Sequence, residues 1–158
     1  MNKALFVLID ETLITTKSGR SFPLNSEDWK FKTNFLNIFR EAINKGYKII
    51  LIDNQFSIGE GFMSERAYIN KLNYISSIIE KDLELDENSI AYFYCGDKKD
   101  KFRALPSCGM LYEAALEYEI ILGHSVLICT AEEEQSIASF GGLSTAYTIY
   151  QIPFISLL

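Results

Sequence analysis

Hydrophobic residues along this chain fall into short unbroken runs that alternate with longer, helically spaced stripes. The first run, Ala4-Leu5-Phe6-Val7-Leu8-Ile9, enters an acidic turn, Asp10-Glu11-Thr12-Leu13. Such a run, closed by polar residues, predicts a strand buried on both faces, as in a parallel sheet. Ligands of an open α/β sheet sit beyond the C-terminal ends of its strands, so Asp10 stands at the natural mouth of a pocket. Over Lys30–Lys45, Phe31, Phe35, Ile38, Phe39, Ala42 and Ile43 recur at helical spacing, and Gly46 stops the helix. Tyr47–Ile52 is a second strand, closing a right-handed βαβ unit and ending at Asp53-Asn54-Gln55. Ser64 is positioned as the N-cap of a helix reaching about Leu83, with Tyr68, Leu72, Ile75 and Ile79 as its buried stripe. Ile90–Tyr94, Ser125–Cys129 and Thr145–Tyr150 read as further strands, with a helix over Met110–Leu122. Ser18-Gly19 marks a turn, Arg20–Leu24 a short flap strand, and Pro153–Leu158 an apolar tail. There are no repeats, linkers or low-complexity segments. The expectation is one α/β domain over residues 1–158: a three-layer, Rossmann-like parallel sheet with helices on both faces, a small flap and no large cap.

Composition narrows the chemistry. The chain has 158 residues, 48% of them hydrophobic and 23% charged, which is a globular balance. Its net charge of −6 disfavours nucleic-acid and anionic-membrane binding, which work through Lys and Arg. No run approaches a membrane span, and no signal peptide precedes the first strand, so an intracellular setting is expected. Cys95, Cys108 and Cys129 cannot all pair and form no Cys-x-x-Cys, so they read as reduced core or loop thiols. His124 is the only histidine, which argues against a His-based metal site or nucleophilic triad.

The motifs themselves resemble those of the haloacid dehalogenase (HAD) phosphatases, whose first motif is Asp-x-Asp-Gly-Thr-Leu. Asp10-x-Thr12-Leu13 fits its second Asp and its Thr-Leu, while the nucleophilic Asp falls on Leu8 and the Gly on Glu11. The following Thr-Leu-Ile-x-Thr-x-Ser-Gly-x-x-Phe-Pro, with Asp28-Trp29 beyond, resembles the opening of the polynucleotide kinase 3′-phosphatases, a capless HAD branch. Asn54-Gln55 matches the family's Thr-Asn-Gln, with Asp53 in place of the Thr that holds the phosphoryl group. Pro106-x-x-Gly109-Met110 matches the segment that carries the family's charge-neutralising Lys, and that Lys falls on Leu105, with Arg103 one place early. Where the family has Gly-Asp-x-x-x-Asp, Thr130 replaces the magnesium-binding Asp and Glu134 the second.

These substitutions set the functional expectation. Leu8 cannot attack phosphorus, and an ionised Asp53 about 3–5 Å from a phosphate would repel it by several kcal/mol at a low effective dielectric. Together with Leu105 and Thr130 they leave no route to an aspartyl-phosphate, so no catalytic residue, cofactor or metal is expected. The leading reading is therefore a catalytically inactive HAD-fold protein, a pseudoenzyme kept as a binding or structural subunit through protein-protein interaction with an unnamed partner. Its contact surface would be the aromatic flap or the tail from Pro153. The alternative is an active phosphatase, similar to the polynucleotide 3′-phosphatases, with an unorthodox site and a need for magnesium. In one form of it Asp10 is the nucleophile and Thr12 lies two residues on. Asp10, Asp53 and Glu134 were also candidates for an acidic cluster at the strand ends. A third reading, end-binding of nucleic acid through Lys98, Lys99, Lys101 and Arg103, is weakened by the interleaved Asp97 and Asp100.

Overall fold

The computed structural model describes residues 2–21, 23–32 and 35–154. β1 (Lys3–Leu8) leads through a tight turn into a small antiparallel flap made by β2 (Ile14–Thr15) and β3 (Lys30–Phe31). There follow α1 (Leu36–Asn44), β4 (Tyr47–Asn54), α2 (Glu65–Asp82), β5 (Ala91–Cys95), α3 (Gly109–Tyr118), β6 (Val126–Cys129), α4 (Gln135–Gly141) and β7 (Thr145–Thr148). Five of the strands form one parallel sheet in the order β5-β4-β1-β6-β7, so the first apolar run is its central strand.

Alternation along β1 divides the core between the two faces, as a period of two requires. Leu5, Val7 and Ile9 pack with Phe39 and Ala42 of α1 and with Tyr68, Leu72 and Ile75 of α2. Ala4, Phe6 and Leu8 face the other way, into a cluster with Leu111 and Ala114 of α3 and Ile137 and Ala138 of α4. Burying each large aliphatic or aromatic side chain in this way stabilises the fold by about 1.5–3 kcal/mol. The three-layer parallel architecture expected from the sequence is what the structure has.

Several boundaries differ, each for a physical reason. Residues expected to open the first helix instead pair across the flap, Ile14 with Phe31 and Thr15 with Lys30. Arg20–Leu24 holds no strand among its described residues, and Phe22 lies outside them. β4 runs two residues past Ile52, because Asp53 and Asn54 pair with Tyr94 and Cys95 of β5 whatever their side-chain polarity. α3 stops at Tyr118, where Glu119 turns left-handed (φ 54°), short of the expected Leu122. β7 ends at Thr148 and a 3-10 turn takes Ile149–Phe154; residues 155–158 of the expected apolar tail lie outside the described residues. Ser64 caps α2 as anticipated, its hydroxyl accepting from the Ala67 amide at 3.1 Å. No helix among the described residues is long and apolar enough to cross a membrane.

Candidate active site

The C-terminal edge of the central strands is where the sequence placed a pocket, and the structure opens one there. β1 ends at Leu8, and the chain turns at once, with the Ile9 carbonyl accepting from the amides of Leu13 and Ile14 at 2.9 and 3.0 Å. Asp10 is exposed on the outside of this turn. It lines a cavity of about 330 Å³ together with Asn54, Gln55 and Ser57 from the end of β4 and Thr15, Thr16 and Trp29 from the flap. Glu11 holds φ at 62°, the left-handed geometry that suits the glycine of the resembled motif. This is consistent with the register in which Asp10 stands at the motif's second carboxylate and Leu8 at its nucleophile.

Leu8 is 3% exposed and belongs to the apolar cluster shared with Ile52 and Cys129. It presents neither a nucleophile nor a metal ligand. Thr12 and Thr130 meet at 2.7 Å, and the Thr130 hydroxyl donates in turn to the Glu11 carbonyl. Leu105 packs on the α3 side of the sheet, and Asn54 pins its backbone in both directions (Nδ2 to the Leu105 carbonyl 3.0 Å, Leu105 amide to Oδ1 2.9 Å). Asn54 is thus a strut for that loop. Arg103 does not stand in for the missing lysine: its Nε donates to Glu113 of α3 at 2.8 Å, and it lines a separate cavity against Tyr94 and Asp97.

Asp10 and Asp53 do come together, but Glu134 does not join them. It turns back and accepts from the amides of Thr130 (3.1 Å) and Ala131 (2.8 Å), so the three carboxylates considered as a cluster do not converge. Asp53 is 7% exposed and accepts from the Tyr68 hydroxyl at 3.1 Å. Burial first, and then the neighbouring Asp10 charge, hold its carboxyl well above the usual carboxylate range. The shift favours the protonated carboxyl, which hydrogen-bonds to Asp10, and so weakens the electrostatic objection drawn from the sequence. Burial and the same two carboxyls hold the Tyr68 phenol in its neutral form. Asp10 is oriented from its other side by Gln55, whose Nε2 donates to Oδ2 at 3.0 Å while Ser57 donates to Oε1 at 2.8 Å.

The rest of the site is scaffolding. Asp28 anchors the flap by accepting from Leu24 N, Ser18 N and Ser18 Oγ at 2.7–2.9 Å, bonds that lower its pKa to about 2. Cys95, Cys108 and Cys129 are free and buried. Burial and nearby Glu134 push the Cys129 thiol up to about 12, so it is a core group and no nucleophile.

The donors do not fit a resident magnesium ion. At the two side-chain ligand positions stand Leu8 and Thr130, whose hydroxyl is already engaged. Among the described residues no three His, Cys, Asp or Glu side chains gather. Of the carboxylates lining the cavity, Glu11 and Glu60 face lysines and Asp28 holds the flap, which leaves Asp10 where Mg²⁺ demands near-octahedral oxygen coordination.

Two residues of the site were not singled out for it from the sequence. Tyr68 was read only as part of a buried stripe, and Lys71 was not read at all. The available signal was position: Lys71 lies three residues after Tyr68 and four before Ile75, a lysine on the apolar face of α2.

Comparison with known proteins bears on the same residues. The family model described as "Polynucleotide kinase 3 phosphatase" matches residues 4–132. A D-glycero-beta-D-manno-heptose-1,7-bisphosphate 7-phosphatase of Haemophilus influenzae is 28% identical over 137 residues, covering 81% of this chain and 71% of its own length. The Helicobacter pylori (strain ATCC 700392 / 26695) protein of the same name is 26% identical over 133 residues, covering 84% and 75%. In structure, the D,D-heptose 1,7-bisphosphate phosphatase of B. bronchiseptica, complexed with magnesium and phosphate, superposes with a TM-score of 0.73 at 14% identity, covering 99% of this chain and 88% of its own. Relatives aligned over most of the chain are named as phosphatases, which overturns the expectation of an inactive structural subunit; the pseudoenzyme reading gives way to its alternative. The chain belongs to the polynucleotide kinase 3 phosphatase family of the HAD superfamily.

Proposed function

We propose that this protein hydrolyses phosphate monoesters of small phosphorylated metabolites, with sugar bisphosphates the favoured class and Asp10 the acid–base group. The observation that carries this reading is Asp10 itself. It is an exposed carboxylate at the end of the central strand, held by Gln55 on one side and hydrogen-bonded to Asp53 on the other. The naming of the aligned relatives as heptose-bisphosphate phosphatases supports the substrate class.

Because the nucleophile position is Leu8, water attacks directly. Its oxygen forms the new bond to phosphorus while an Asp10 oxygen takes its proton. The phosphorus–oxygen ester bond breaks, its electron pair leaves on the alcohol oxygen, and Asp10 returns the proton to that oxygen. Monoester and water thus become alcohol and inorganic phosphate. The hydrogen bond from Asp53 spreads the charge on Asp10, easing approach of an anionic substrate. The donor set does not fit a resident magnesium, and no step here passes through one.

The test is release of inorganic phosphate from heptose-1,7-bisphosphate, p-nitrophenyl phosphate and a 3′-phosphorylated oligonucleotide. The sugar bisphosphate is expected to be the best substrate, with turnover persisting in EDTA. A strict magnesium requirement would mean that substrate assembles donors the free protein lacks. Failure to release phosphate from any of the three would sink the proposal.

A further inference from the structure

A phosphate monoester is an anion, and the cavity it must enter is lined by Asp10, Glu11, Asp28 and Glu60. Three of these carboxylates are already answered. Glu11 faces the Lys32 ammonium at 3.6 Å, Glu60 faces Lys98 at 3.8 Å, and Asp28 holds the flap amides and a hydroxyl. Leu105 supplies no charge, and Arg103 is bound to Glu113. What remains is Asp10 and a single cation, Lys71, the only lysine or arginine among the described residues lining this cavity.

Lys71 is 5% exposed and has no hydrogen-bond or ion-pair partner among the described residues. Burying an ammonium without a partner is costly, and structural lysines at this depth come paired. Yet among the described residues the only fully buried side-chain nitrogen or oxygen left without a partner is Ser76 Oγ. The Lys71 stem is therefore sealed in the core while its ammonium keeps contact with solvent, and the residue lines both this cavity and its neighbour, each together with Trp29. Tyr68, one turn earlier on the same face of α2, holds Asp53 beneath Asp10, so α2 aims both side chains at the same edge of the sheet.

We propose that Lys71 is the phosphate-binding cation of this site, taking from α2 the role for which the loop at Leu105 has no charge. It meets the phosphoryl oxygens directly, and this assignment rests on the phosphatase reading for the identity of the ligand. A cation sealed along its stem and free at its head is poised to receive an anion with little loss of side-chain freedom.

Calorimetric titration of the full chain with inorganic phosphate tests it, alongside turnover of p-nitrophenyl phosphate. Lys71→Met keeps the buried stem and removes the charge. It is expected to weaken phosphate binding, and raise KM, by about tenfold or more, as loss of a charge-assisted contact does. Its melting temperature should hold, since the buried stem is kept and the ammonium it loses meets solvent. Lys71→Arg should retain most of the phosphate affinity, and Lys71→Gln serves if the Met variant fails to fold. Wild-type phosphate affinity in Lys71→Met, or no phosphate binding by the wild type, would overturn the assignment. If binding depends on Lys71 but no monoester is hydrolysed, Lys71 stands and the phosphatase reading falls. If monoesters are hydrolysed equally by wild type and Lys71→Met, the reverse holds.

Discussion

Asp53 shows how one buried carboxyl changes the meaning of a substitution. Its oxygens meet Tyr68 and Asp10, and burial favours its protonated form. A folded-state pKa above the unfolded value of about 3.9 means the native state binds a proton that the unfolded chain releases. The stability tied to this proton is fully present below about pH 4. It is lost as pH rises toward the folded value, at up to about 1.4 kcal/mol per pH unit. Asp53→Asn offers the same donor to Asp10 and the same acceptor to Tyr68 without a titrating proton. The variant should match the wild type near pH 4 and exceed it as pH rises above that, in urea unfolding. A difference that does not change with pH would show that Asp53 is ionised in the folded protein. Lys71 carries the complementary lesson, since both residues owe their roles to what surrounds them rather than to residue type.

The turn between β1 and the flap sets the site's geometry, and Glu11 is its most constrained point. Its left-handed φ of 62° costs an L side chain about 1–2 kcal/mol, while glycine adopts it freely. Comparing Glu11→Ala with Glu11→Gly removes the Thr15 and Lys32 contacts from both variants. Glycine should then be the more stable by about 1 kcal/mol in thermal unfolding, the reverse of its order in a helix. Equal stability would mean that the turn relaxes out of this conformation. Such elements were readable from the chain to different depths. β1, β4 and the Ser64-capped α2 follow from runs, stripes and a cap. The flap does not, because Phe31 and Phe35 share helical spacing with Phe39 while Lys30 and Phe31 in fact pair with Ile14 and Thr15. Periodicity records which residues are apolar, and a two-residue strand is fixed by a partner sixteen or so positions away.

At the scale of the whole molecule, a parallel sheet with β1 at its centre brings the ends of β1 and β4 to one edge, and the flap closes over them. Of the motif positions, Asp10, Asp53 and Gln55 gather at that edge, and Leu8 and Leu105 lie in the apolar cluster beneath. What the motifs could not convey was protonation and compensation. Burial pushes the Asp53 carboxyl upward, and the lysine that lines the cavity stands on α2 rather than in the loop at Leu105. The most direct test of the account is phosphate release from heptose-1,7-bisphosphate by the wild type and by Asp10→Asn, with folding of both checked by circular dichroism. Turnover by the wild type, falling by about 10²–10⁴-fold in Asp10→Asn as loss of a general base predicts, would uphold Asp10 as the acid–base group. A wild type that releases no phosphate, or an Asp10→Asn variant with undiminished turnover, would contradict it.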